Sequence, residues 1–127
     1  MARSALLNVM VQAAMKAGRQ LSRDFGEVQN LQVSVKGPGD FVSQADHKAE
    51  KIIHEELLIA RPDYGFLMEE GGEVKGEDSD NVWIIDPLDG TKEFIKRRGD
   101  FTVNIAYVEN GIPLRGIVYA PARNRLF

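Results

Sequence analysis

The sequence predicts an α+β domain, on three observations. Two segments with helical apolar spacing occupy the first half, from Ser4 to about Arg23 and from Ser43 to about Ala60. Period-two alternation at Phe101, Val103, Ile105 and Tyr107 then marks a strand, and Asn110-Gly111 is a strong hairpin signal before a return at Gly116 to Tyr119. Finally, 127 residues with 43% hydrophobic content suffice for one core. Helices followed by a hairpin-connected sheet give two helices packed on an antiparallel sheet.

The elements follow in order. Ser4 is placed to cap the first helix, and Leu6, Met10, Ala13, Ala14, Ala17 and Leu21 share one face. Leu31-Gln32-Val33-Ser34-Val35 alternates as a strand would, and Gly37-Pro38-Gly39 ends it in a turn. Ser43 opens the second helix, with Asp46 three residues on as a variant capping box. Its buried stripe is Ala45, Ala49, Ile52, Ile53, Leu57 and Ala60, and Pro62 lies just past its end. Tyr64 to Met68 is a short apolar run stopped by Glu69-Glu70-Gly71-Gly72, and the charged stretch Glu73 to Asp80 reads as a mobile loop. Arg125-Leu126-Phe127 ends on large apolar residues where another strand starts, the pattern of a chain cut short.

Composition removes several function classes. Sixteen Lys and Arg against nineteen Asp and Glu give a net charge of -3, without the basic excess of nucleic-acid binders. No cysteine is present, so disulfides, thiolate metal sites and a cysteine nucleophile are excluded. No apolar run approaches ~20 residues, so no transmembrane helix is expected. Met1 to Gln20 reads as a helix rather than a signal peptide, which makes the cytoplasm the default location.

The chemistry concentrates in Trp83-Ile84-Ile85-Asp86-Pro87-Leu88-Asp89-Gly90-Thr91. Three apolar residues suit a buried strand, Asp86 ends it, Pro87 blocks further ladder pairing and Gly90 permits a tight bend. Two carboxylates three positions apart on a strand-end loop suit a hard cation such as Mg²⁺, which usually also holds a substrate phosphate. A plain Asp/Pro/Gly turn is the alternative, but it does not need both carboxylates. Glu69 and Glu70 stand at another strand end; four carboxylates converging without a cation would repel one another. Read by composition alone, they equally begin a solvated acidic loop. Asp46, in isolation, is a helix-capping residue. His47 and His54 lie seven apart on the polar side of the second helix, with no HExxH pair, and face solvent. Ser4, Ser22, Ser34, Ser43 and Ser79 lack a nucleophile-elbow pattern. Lys96-Arg97-Arg98 either helps hold an anionic substrate or forms a solvated face.

At these residues the chain resembles the inositol monophosphatase superfamily, the Mg²⁺-dependent, lithium-sensitive phosphatases. Trp83 to Thr91 resembles the family signature, Asp40-Phe41-Val42-Ser43-Gln44-Ala45-Asp46 its Asp-x-Val-Thr-x-x-Asp segment, and Met68-Glu69-Glu70 its Gly-Glu-Glu segment. The resemblance implies a sugar-phosphatase fold, with residues 1–127 as its N-terminal metal-binding portion. It implies that Glu69, Asp86, Asp89 and the Leu88 carbonyl ligate Mg²⁺, and that Glu70 supports a further metal or its surroundings. It also implies that Asp46 and Thr91 pair to orient and deprotonate the attacking water. Gly90 and Thr91 N–H groups would hold phosphate oxygens, and Lys36 matches a family lysine near the site. Metal-activated water then attacks phosphorus, and Glu69 joins Asp46 and Thr91 among the catalytic residues.

The resemblance divides at Thr91. Met1 to Thr91 is most similar to bacterial inositol-1-monophosphatases. Lys92-Glu93-Phe94-Ile95-Lys96-Arg97 and the following Gly99 to Ala106 resemble instead the 3'(2'),5'-bisphosphate nucleotidases, which act on 3'-phosphoadenosine 5'-phosphate. Lys92, Lys96, Arg97 and Arg98 add positive charge suited to a doubly phosphorylated ligand. The family continues into a second half whose Trp-Asp motif completes the metal site; here the only tryptophan is Trp83, followed by Ile84. The resulting expectation is a small phosphorylated substrate, little activity from this chain by itself, no nucleic-acid polymer or membrane partner, and possible homo-oligomers. A non-catalytic binding or assembly module that keeps the fold is the competing expectation.

Overall fold

A computed structural model describes residues 4–30, 37–89, 101–121 and 125–127, and for residues 25–30, 37–43 and 89 the backbone alone. The elements run α1 (Ala5–Asn30), α2 (Gly37–Ala60), β1 (Tyr64–Met68), β2 (Gly72–Val74), β3 (Asp78–Asp89), β4 (Thr102–Glu109), β5 (Ile112–Ala120) and β6 (Arg125–Leu126). The class is α+β, with both helices on a sheet of strand order β2-β1-β3-β4-β5-β6.

Ser4 caps α1, accepting the Leu7 N–H at 3.1 Å on its hydroxyl, an interaction of about 1 kcal/mol. The helix runs past Arg23 to Asn30, because nothing in that stretch forbids helical backbone; Gly26 alone costs only about 1 kcal/mol. The second helix starts at Gly37, not Ser43. Pro38 falls in its first turn, where an N–H has no intrahelical partner and the fixed φ of proline favours the helix. Gly37-Pro38-Gly39 is therefore a helix start and not a turn, and Ser43 and Asp46 lie inside α2 rather than at its cap. The expected strand at Leu31 to Val35 lies outside the described residues.

The predicted helical stripes form the core. Met10, Ala13, Ala14, Ala17 and Leu21 of α1 and Ala45, Ala49, Ile53 and Leu57 of α2 are buried, with Leu6 and Ile52 packed at the margin. Against them the sheet presents Phe66, Met68, Trp83, Ile85, Val103, Ile105, Tyr107, Ile117 and Tyr119, with Phe101 just before β4. Each large side chain buried here contributes about 1.5–3 kcal/mol. Gly18 lets α1 seat on β5: a Cβ there would lie 2.4 Å from the Tyr119 ring.

The sheet departs from the antiparallel expectation in one pair. β1 and β3 are parallel, with Phe66 opposite Trp83 and Met68 opposite Ile85; the other four pairings are antiparallel. The charged stretch expected as a loop makes this possible. It turns at Gly72 (φ 67°), pairs back along β1 as β2, then crosses to the far side of β1 and enters β3. At the crossing the Asp78 N–H donates to the Asp63 carbonyl at 2.9 Å, and Asp78 Oδ1 and Oδ2 accept the Asp80 N–H and the Asn81 side-chain amide. The Asn110-Gly111 hairpin forms as expected, both residues at positive φ (52° and 78°), and β5 is longer than its predicted core.

Pro87 does not end β3. Asp86 faces Asn104 and Asp89 faces Thr102, so two residues, Pro87 and Leu88, sit across from one on β4. This bulge absorbs the missing proline N–H and carries the strand on to Asp89.

The helix-free face of the sheet is also apolar at its centre. Leu67, Ile84, Ala106 and Gly116 are successive partners across β1, β3, β4 and β5, and Leu67 and Ile84 are 47% and 38% exposed. An antiparallel sheet with one wet face normally alternates apolar with polar. Here Val82-Trp83-Ile84-Ile85 is apolar on both sides.

Candidate metal centre

The parallel pairing of β1 and β3 brings the acidic motifs together. Met68 and Ile85 are in register, so Glu69 and Asp86 stand side by side at the carboxyl end of the pair, where ligands of such sheets are commonly bound. Their carboxyl groups are close enough for Asp86 to act on Glu69. From the other side α2 delivers Asp46, which is buried and lies against the Glu70 carboxylate. One carboxylate oxygen from each of Asp46, Glu69 and Glu70 lies within 4.8 Å of the others.

Such a cluster is costly without positive charge. Burial, then repulsion from Glu69 and contact with Glu70, pushes Asp46 from 3.8 up to about 7. Partial burial of its carboxyl, then the close Asp86 carboxyl, raises Glu69 from 4.5 to about 7. Near neutral pH these oxygens therefore favour a proton or a cation among them. Asp46 Oδ1 is buried and has no hydrogen-bond partner among the described residues. A hard ion of Mg²⁺ or Ca²⁺ size spans roughly 4–5 Å between opposed ligand oxygens, so the donor type and the spacing both fit one.

Two neighbours complete the site. Glu50, one helical turn after Asp46, is 6% exposed and accepts the Glu70 and Gly71 N–H groups on its two oxygens, at 2.9 and 3.1 Å. Nothing in the sequence marks it except its i, i+4 spacing from Asp46 inside a mostly apolar stripe. His47 Nε2 lies 3.5 Å from Glu70 Oε2, while His54 packs edge-on against Phe66, ring centroids 4.4 Å apart, and is not simply solvent-facing.

Of the sequence-predicted residues, then, Asp46, Glu69 and Glu70 converge and Asp86 joins them through Glu69. Asp46 lies inside α2, so its helix-cap alternative gives way, whereas Glu69 and Glu70 are exposed as a solvated turn would be while their oxygens meet that of Asp46. Leu88 is buried in the bulge, and the backbone of Asp89 pairs opposite Thr102. Lys36, Gly90, Thr91 and the basic residues Lys92, Lys96, Arg97 and Arg98 lie outside the described residues, as does the predicted pairing of Asp46 with Thr91.

Comparison with known proteins gives a consistent picture. The sequence profile of the inositol monophosphatase family matches residues 2–127. The chain is 67% identical over 127 residues to an inositol-1-monophosphatase of Mesorhizobium japonicum, covering 100% of this chain and 48% of that protein. It is 41% identical over 122 residues to Nus factor SuhB of Escherichia coli, covering 96% and 46%. The crystal structure of extragenic suppressor protein suhB from Bartonella henselae has a TM-score of 0.86 at 60% identity, over 98% of this chain and 48% of that one. The chain thus spans about half the length of the curated relatives it matches.

Proposed function

Because the chain belongs to the inositol monophosphatase family, we propose that it is the N-terminal metal-binding portion of a Mg²⁺-dependent phosphomonoesterase. The substrate class is inositol-1-phosphate or a related small phosphate ester, and the location cytoplasmic. No described helix is long and apolar enough to cross a membrane. The observation that carries the proposal is the convergence of Asp46, Glu69 and Glu70 oxygens within 4.8 Å, with Asp86 set beside Glu69 by the β1–β3 register.

Mg²⁺ bound there would neutralise charge on a phosphate ester and make water a better nucleophile at neutral pH. Glu69, Glu70 and Asp86 would hold it, with Asp89 and the Leu88 carbonyl contributing from the bulge. Asp46 would take a proton from the attacking water, oriented together with Thr91. Gly90 and Thr91 N–H groups would fix phosphate oxygens, and Lys36 would add positive charge beside them. Activity from these 127 residues is expected to be weak, since hard-cation sites depend on ligand number and geometry.

Two other readings have specific support. The likeness of residues 92–127 to bisphosphate nucleotidases favours 3'-phosphoadenosine 5'-phosphate as substrate, and the relative named Nus factor SuhB favours a non-catalytic assembly module. Phosphate release with Mg²⁺, measured on inositol-1-phosphate and on 3'-phosphoadenosine 5'-phosphate, separates all three. Release that disappears in Asp89→Asn supports the phosphatase, and the better substrate identifies the subgroup. No release from either compound by a folded chain, at protein concentrations high enough to register weak turnover, sinks it.

A further inference from the structure

We propose that Glu50 is a positioning residue that holds the Glu69-Glu70-Gly71 turn in its metal-binding geometry, an inference that rests on the metal-site reading above. The turn itself is poorly supported. Glu69, Glu70 and Gly71 are all exposed and link β1 to the three-residue edge strand β2. Both glutamates face repulsion from neighbouring carboxylates, which would push an unrestrained turn outward.

Glu50 opposes that push. Its carboxylate is 6% exposed and is spent on two backbone donors, the Glu70 N–H at 2.9 Å and the Gly71 N–H at 3.1 Å. Hydrogen bonds to an ionised acceptor are short and strong, and two on one carboxylate fix orientation as well as distance. Glu50 lies one turn from Asp46 on α2, so a single rigid element supplies both a site carboxylate and the clamp on the turn that carries two others. Glu50 and Glu70, 20 positions apart in sequence, are thereby bridged at the site itself.

Glu50→Gln keeps the shape but sets an amide NH₂ against one of the two N–H groups. The test uses the 127-residue chain with Mn²⁺ as the probe, its free concentration read by electron paramagnetic resonance, and amide exchange read by NMR. Glu50→Gln is expected to weaken Mn²⁺ binding about tenfold, as loss of an outer partner of a metal ligand typically does. Exchange at Glu70 or Gly71 should quicken, with little change in the thermal midpoint. In the unmodified chain, saturating Mg²⁺ should slow exchange at the same two amides, a readout that stands even if the variant fails to fold. Unchanged Mn²⁺ affinity in a folded Glu50→Gln, or no Mg²⁺-dependent slowing at Glu70 and Gly71, overturns the role of Glu50 alone. Absence of Mn²⁺ binding by the unmodified chain overturns the metal-site reading, and the role of Glu50 with it.

Discussion

Asp46 and Glu69 each hold a proton at a pH where an ordinary carboxylate has lost it. Both are raised to about 7, above their unfolded values near 4, so between those limits the folded chain binds more protons than the unfolded one. Stability supplied by these groups is full below about pH 4 and is lost as pH rises through about 7. The metal-free chain should therefore have a higher thermal midpoint at pH 5 than at pH 7.5. Asp46→Asn should flatten that slope, and saturating Mg²⁺ should restore the midpoint at pH 7.5. Circular dichroism melts across this range check all three, and a midpoint that rises from pH 5 to 7.5 without metal would contradict the shifts. The role of Asp46 was only half legible at this scale. Ser43 three residues upstream makes it look like a capping residue, and only the earlier helix start at Gly37 and the packing of α2 across β1 turn it into a buried member of the cluster. Glu50 was illegible for the same reason: its partners are 20 residues away in sequence.

At the scale of elements, what was locally encoded was readable. The α1 and α2 stripes, the alternation of β4 and the Asn110-Gly111 hairpin depend on periods and turn chemistry within a few residues, and they form where expected. The parallel β1–β3 pair depends on a crossing that no local signal announces. Gly76 lies at that crossing. A Cβ there would come within 2.2 Å of the Asp63 carbonyl oxygen and 2.5 Å of the Tyr64 backbone, atoms that cannot swing away as a side chain would. Gly76→Ala should cost about 2–3 kcal/mol, read from the urea midpoint, by forcing β2 and the start of β3 away from β1. A loss below ~0.5 kcal/mol would mean the crossing is slack. The bulge at Pro87-Leu88 was equally hidden, since proline in a strand run argues for its end unless a partner strand accommodates an extra residue. By accommodating it, β3 sets Asp86 and Asp89 opposite Asn104 and Thr102, positions two apart on β4, where three residues of regular strand could not.

Among the described residues the sheet has one face packed under the helices and one apolar face left open. The row Leu67, Ile84, Ala106 and Gly116 carries no charge and meets solvent across four strands. A contiguous apolar surface of this kind binds ANS, and Leu67→Lys combined with Ile84→Lys should sharply reduce the dye's fluorescence. Because the two side chains are half-buried register partners, the double change should also cost about 1–2 kcal/mol, from lost burial and from like charges set opposite each other. Undiminished fluorescence would place the dye elsewhere, the neighbouring groove between Phe66, Leu67 and Val74 being the next candidate.

The open furrow does not stop at the apolar row. Its hollow of about 260 Å³ is lined by Ile84, Ala106, Gly116 and Val118 and reaches Asn104 and Asp86. One wall of the carboxylate cluster is thus in contact with bulk solvent, where the effective dielectric constant is about 80. Beneath a covering layer it would fall toward ~20, and each charge–charge interaction at Asp86 would strengthen roughly fourfold. Whatever occupied that face would act on the site without touching a ligand, as insulation: repulsion among the acids would sharpen, and so would their grip on a cation.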